Sequence, residues 1–183
     1  MKTKVDLSLY DNSWYNTGGG KIKRVLWYFI NALIFDSHFF PFNGLKIFLL
    51  KIFGANVGKG VVIKPKVNIK YPWNISIGDY TWIGEGVWLD SLVKISIGKH
   101  CCISQGAYLL TGNHDYRSHT FDLILKPIEI KDGVWIGAKS IVCPGVVCES
   151  YSMLTAGSVI SHTMEENTIY KTNSAFITKK RFI

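Results

Sequence analysis

The chain has 183 residues, 48% of them hydrophobic and 19% charged, with a formal net charge of +8. That length suits one domain with a real core, and the composition excludes a disordered polypeptide. Four cysteines without a C-x-x-C pair, and an apolar run over residues 25–35 too short for a bilayer, speak against a zinc module and a membrane-spanning helix.

The basic excess fits a phosphorylated ligand, an anionic membrane or simply a lysine-rich surface. The largest basic cluster is Lys179-Lys180-Arg181 at the tail, and no longer run exists to hold nucleic acid. Ten Phe, nine Tyr and six Trp suggest interfaces or a ligand that lies on flat rings. Cys101, Cys102, Cys143 and Cys148 read as small apolar fillers in a reducing compartment. Residues 1–10 do not resemble a signal peptide. The expected location is the cytoplasm, with the inner face of the membrane as a variant that the aromatic N-terminal segment would allow.

Residues 1–20 look irregular and end in Gly18-Gly19-Gly20. Residues 21–36 are predicted helical, with Val25, Tyr28, Phe29, Ala32 and Leu33 near helical spacing. Pro41 breaks that pattern. Asn43 is placed to cap a second helix over residues 44–53, striped by Leu45, Phe48, Leu49 and Ile52 and stopped by Gly54. Residues 1–56 are therefore expected to form a helical cap packed on the rest. A competing reading is peripheral membrane contact through Trp27, Tyr28, Phe29, Phe39, Phe40 and nearby lysines.

From Val57 a period of six takes over. Val57, Ile63, Ile69 and Ile75 fall in step. After a two-residue shift come Ile77, Ile83, Leu89 and Ile95, and after a second, Ile97, Ile103 and Leu109. Ile130, Ile136, Val142, Cys148, Leu154 and Ile160 continue the series. Sixteen of these seventeen positions are aliphatic, and glycine recurs one or three places after them. A short strand alternating inward and outward, followed by a glycine-assisted bend, repays that period. Three such strands make a triangular coil, and stacked coils bury a continuous aliphatic column. The shifts at Ile75-Ser76-Ile77 and Ile95-Ser96-Ile97 read as two-residue corner insertions.

The step after Leu109 should fall on residue 115, yet the register resumes at Ile130, fifteen residues late. The interruption, residues 115–129, opens with a polar and irregular stretch, and an excursion from a rigid repeat is a natural place for a site. His114 stands at its entrance. A histidine titrates near neutrality and can take the proton of an attacking hydroxyl. Asp115 can orient an imidazole or bind a hydroxyl, although neighbours on an extended chain point apart. Asp90 sits at a coil corner upstream. His38, His100 and His162 read as surface or packing residues.

The repeat, with Cys102-Ile103-Ser104-Gln105-Gly106-Ala107-Tyr108, Thr111-Gly112-Asn113-His114-Asp115-Tyr116 and Val134-Trp135-Ile136-Gly137-Ala138, resembles the hexapeptide-repeat acyltransferases. The likeness is nearest to the sugar O-acetyltransferases of exopolysaccharide pathways, and it covers residues 57–162 by repeat. It implies an all-β fold: a left-handed parallel β-helix over residues 57–170, with a short N-terminal helical segment and a tail over 171–183. It further implies a homotrimer with active sites between subunits, and acetyl-CoA as donor to a saccharide. His114 would be the catalytic base, with Asp90, Asn113, Asp115 and Tyr116 candidates for the acceptor site. Trp135, Ala138, Ala156 and Gly157 match positions that line the pantetheine arm, and Lys180 and Arg181 are candidates for its phosphates. No metal is required.

Two other readings share the repeat. One is a non-catalytic β-helical scaffold. The other is a zinc enzyme of carbonic-anhydrase type, suggested by the spacing of His114 and His119 but lacking a histidine over residues 75–83.

Overall fold

A computed structural model describes residues 4–171. Its body is a parallel β-solenoid with three faces. The first face stacks Asn56–Val57, Ile75–Ile77, Ile95–Ile97, Ile128–Ile130 and Val147–Cys148. The second stacks six strands, among them Trp82–Ile83, Cys102–Ile103, Trp135–Ile136 and Met153–Leu154. The third holds Asn68–Ile69, Trp88–Asp90, Tyr108–Leu110, Ile141–Val142 and Val159–Ile160. All seventeen hexad positions point inward, and none is more than 5% exposed. Coils stack in register, as in Val57 on Ile77 and Ile136 on Leu154.

The isoleucine doublets differ from expectation in a small way. Ile75 and Ile77 both face the core from one regular strand, with Ser76 between them outward. The extra length sits in the corner before that strand, where residues Pro72–Asn74 make a turn of 3-10 helix.

The two glycine positions have separate causes. The glycine three places on takes a left-handed backbone, as at Gly106 with φ of 66° and Gly157 with φ of 69°. The glycine that follows the inward residue lies against the next coil. A Cβ on Gly137 would stand 2.4 Å from Ala156 N, which leaves room for no side chain.

The first coil has no coil beneath it, so its edge presents unpaired N–H and C=O groups. Helix α1 (Lys21–Ile30), continued by a wider turn over Asn31–Phe35, and helix α2 (Asn43–Ile52) cover that edge. Trp27 Nε1 donates to the Ile69 carbonyl at 2.8 Å, and Asn31 Oδ1 accepts from the Ile69 N–H at 2.9 Å. Asn43 is not a cap. It is the first residue of α2, and its amide bonds both the Val61 carbonyl and the Ile63 N–H. Lys46, fully buried, gives its ammonium to the Lys64 carbonyl at 3.0 Å.

Those anchors set the rotation of both helices, and most of the expected stripes ends up outside, although Leu49 packs against the core. Trp27, Phe35 and Leu50 join the core, whereas Val25, Tyr28 and Phe29 on α1, Leu33 on its continuation and Phe48 and Ile52 on α2 are more than half exposed.

Candidate active site

The interruption of the repeat is not irregular throughout. Gly112–His114 pairs antiparallel with Leu123–Leu125, so a β-hairpin leaves the corner between the third and first faces. Ile128 is already back in the stack, directly on Ile95. The root of the hairpin is tied to the solenoid by Thr111, whose hydroxyl donates to the Asp90 carbonyl at 2.8 Å and accepts from the Val93 N–H.

His114 is half-buried at the end of the outgoing strand. Its Nδ1 lies 2.9 Å from the Phe121 carbonyl oxygen. A carbonyl only accepts, so Nδ1 is the donor in this contact, and in the neutral tautomer that makes it the lone pair belongs to Nε2. Among the described residues Nε2 has no hydrogen-bond partner. The ring is stacked on Phe121 at 4.3 Å between centroids, and Tyr10 meets it edge-on at 5.5 Å. Neither Phe121 nor Tyr10 stood out in the sequence. Phe121 left a faint signal as an aromatic inside a polar stretch, and Tyr10 left none.

The acidic candidates sit apart from the imidazole nitrogens. The Asp115 carboxylate takes Arg117 Nε at 3.1 Å and the Arg117 N–H at 3.0 Å, so it braces the hairpin tip rather than His114. The Arg117 guanidinium, with that backbone bond, holds its carboxyl below the usual range. Asp90 ends a strand of the third face, half-buried, with the Tyr108 hydroxyl 3.4 Å away. Burial pushes its carboxyl up, and Lys70 and Tyr108 pull the other way. Burial, with Asp90 adding to it, pushes Tyr108 up to about 12. Asn113 accepts from the His114 N–H through its side chain, and Tyr116 is exposed beneath the Arg117 guanidinium.

Trp135, Ala138, Ala156 and Gly157 do come together. Trp135 ends up outward on the second face, its indole N–H on Ser104 Oγ at 2.9 Å. Ala138 follows at the corner between the second and third faces, and its carbonyl accepts from Gly157 N–H one coil on. Ala156 is exposed beside it. This corner is not the one that bears His114. Lys180 and Arg181 lie outside the described residues.

His119 does not join His114. Its Nδ1 is taken by the Lys4 carbonyl, and among the described residues no cluster of three His, Cys, Asp or Glu could hold a metal. The four cysteines are free. Burial raises Cys148 to about 12, in keeping with an inert filler.

The chain is 38% identical over 164 residues to WcaF of Escherichia coli K12, named as a colanic acid biosynthesis acetyltransferase, and the match covers 90% of each protein. The chain belongs to the hexapeptide-repeat acetyltransferases. No protein-family model matches it. Among solved structures, a hexapeptide-repeat-containing acetyltransferase of Vibrio cholerae superposes with a TM-score of 0.73 at 26% identity, over 81% of this chain and 85% of that one. A galactoside acetyltransferase solved in complex with coenzyme A superposes with a TM-score of 0.71 at 25% identity, over 81% and 75%. The solenoid of this acetyltransferase is thus the left-handed β-helix expected, and the protein is an enzyme rather than a scaffold.

Proposed function

We propose that this acetyltransferase moves an acetyl group from acetyl-CoA to a saccharide hydroxyl, with His114 Nε2 as the general base. The observation that carries this reading is the bond from Nδ1–H to the Phe121 carbonyl, which selects the neutral tautomer with its lone pair on Nε2. In the reaction Nε2 takes the hydroxyl proton as the sugar oxygen attacks the thioester carbonyl. The tetrahedral oxyanion is held by backbone N–H groups and collapses with loss of the coenzyme thiolate. The thiolate then recovers the proton from the imidazolium, and His114 is neutral again.

The pantetheine arm would run along the corner lined by Trp135, Ala138, Ala156 and Gly157, where stacked coils offer regularly spaced amides. The tail residues Lys180 and Arg181 would meet its phosphates. That corner and the hairpin corner are different edges of one prism, so a threefold arrangement would bring them together from neighbouring copies. The acceptor would lie against Asn113, Tyr116 and Asp90, with Asp115 holding the hairpin tip. With such a donor the enzyme would work in the cytoplasm. Saccharide substrates draw support from the colanic acid and galactoside relatives.

The test is release of free thiol from acetyl-CoA with a panel of saccharides. His114→Ala should lower turnover by about 10²–10⁴-fold with the fold intact. A folded variant with near-normal turnover rejects the base. A monomer by light scattering rejects the shared site.

A further inference from the structure

The outward face of the two N-terminal helices is unlike the rest of the surface. On α1 and the turn that continues it, Ile22, Leu26, Phe29 and Leu33 line one side, each more than half exposed. On α2, Phe48 and Ile52 are also more than half exposed, with Leu45 exposed beside them, and Phe39, 95% exposed, stands on the link between the helices. Nothing in the core requires these side chains, because Trp27, Phe35 and Leu50 already seal the first coil.

Charge is concentrated in the same segment. Residues 21–66 hold eight of the 21 basic residues and only one, Asp36, of the 13 acidic ones. Nearly all of the net +8 therefore belongs to the helices and the first coil beneath them. Lys21 and Lys51 are exposed on the helices, and Lys59, Lys64 and Lys66 on that coil. The first turn of α1 has no acidic residue and no side-chain cap, so Lys21, Lys23 and Arg24 add to the positive end of its dipole.

We propose that this face docks on the surface of a membrane rich in anionic lipid, with both helices lying flat and the lysines at the headgroups. An apolar stripe set among cations is the pattern of an interfacial helix. No described helix is long and apolar enough to cross a bilayer, so the contact is with one leaflet. Charge decides against a twofold pairing of this face with itself. Two such faces would bring like charge onto like charge, whereas an anionic leaflet neutralises it.

The experiment is co-sedimentation of the full chain with phosphatidylcholine vesicles, with and without phosphatidylglycerol, at low and high salt. Binding is expected only with phosphatidylglycerol, and it should weaken in high salt. Lys51→Glu and Lys59→Glu should each reduce it at least about fivefold. Leu26→Ser with Leu33→Ser should abolish it while leaving the thermal melt unchanged. Phe48→Ser with Ile52→Ser should have the same effect, which guards against a local defect in α1. Failure of the wild type to sediment with anionic vesicles at low salt overturns the proposal, as does equal sedimentation of the serine variants. If the serine variants instead lose their oligomeric state in light scattering, a copy of this chain covers the face and the proposal is wrong.

Discussion

Phe121 holds His114 twice, with its ring stacked on the imidazole and its carbonyl on Nδ1. It does so from a left-handed backbone, φ of 53°, that a bulky residue seldom adopts. That conformation brings the carbonyl and the ring of one residue to the same histidine.

Phe121→Gly keeps the left-handed turn at no steric cost and removes only the ring. Turnover should fall about 10–100-fold through loss of imidazole alignment, with the KM for acetyl-CoA unchanged. Phe121→Ala should lose as much activity and be less stable than Phe121→Gly by about 1 kcal/mol, because alanine, like the native phenylalanine, resists positive φ. Steady-state kinetics and thermal melts separate the two effects.

Asp90 trades stability for polarity. Burial raises its carboxyl, so the folded protein keeps the proton longer than the unfolded chain does. Stability is therefore lost as pH rises from the ordinary carboxylate range through the native value. Asp90→Asn should melt higher than the wild type at neutral pH, with the difference closing toward about pH 4. The same variant should raise the KM for the saccharide. Melts across pH, run beside acceptor titrations, check both.

Lys46 is the mirror case. Burial lowers its amine, so the unfolded chain binds a proton that the native state resists, and stability rises with pH up to the ordinary lysine range. Lys46→Met should gain about 1 kcal/mol at neutral pH, or about 2–4 °C in Tm. The gain should fade near about pH 10. A lower Tm for Lys46→Met at neutral pH would mean that its bond to the Lys64 carbonyl outweighs the buried charge.

Gly137→Ala drives a methyl group into the backbone of the next coil, where Ala156 N and Leu154 O leave no space. A loss of about 1–3 kcal/mol is expected in urea unfolding. Acetyl-CoA affinity should fall too, because the same contact sets the spacing of Ala138 and Ala156. Gly44→Ala, in the first turn of α2 with nothing within 4 Å, should be neutral or stabilising.

The solenoid was legible because its rule is local. An inward aliphatic every sixth residue, with glycine at fixed offsets, needs no knowledge of distant partners, and Val57 through Ile160 obey it. The N-terminal helices were legible as elements but not in rotation. Both sides of α1 are apolar, so periodicity alone could not tell Trp27 from Phe29. The choice is made by hydrogen bonds from Trp27, Asn31, Asn43 and Lys46 to an open sheet edge that lies far along the chain. His114 stood out as the candidate base for its chemistry and its place. Its partner was hidden, because a backbone carbonyl at Phe121 carries no side-chain signature. The antiparallel strand had one visible trace, the apolar Leu123-Ile124-Leu125, inside a stretch read as loop.

Ile95 is paired in register with Ile128 on one side as it is with Ile75 on the other, although the whole hairpin intervenes in the chain. The solenoid does not register the insertion. Closing a corner loop costs little more as it grows, about 0.6 kcal/mol for each doubling of its length. Hairpins of other lengths and sequences can therefore be exchanged at this corner while the columns above and below keep their packing. In such a scaffold the choice of acceptor can drift over generations without the fold being renegotiated, and a designer can graft at Thr111 and Pro127 with the same freedom.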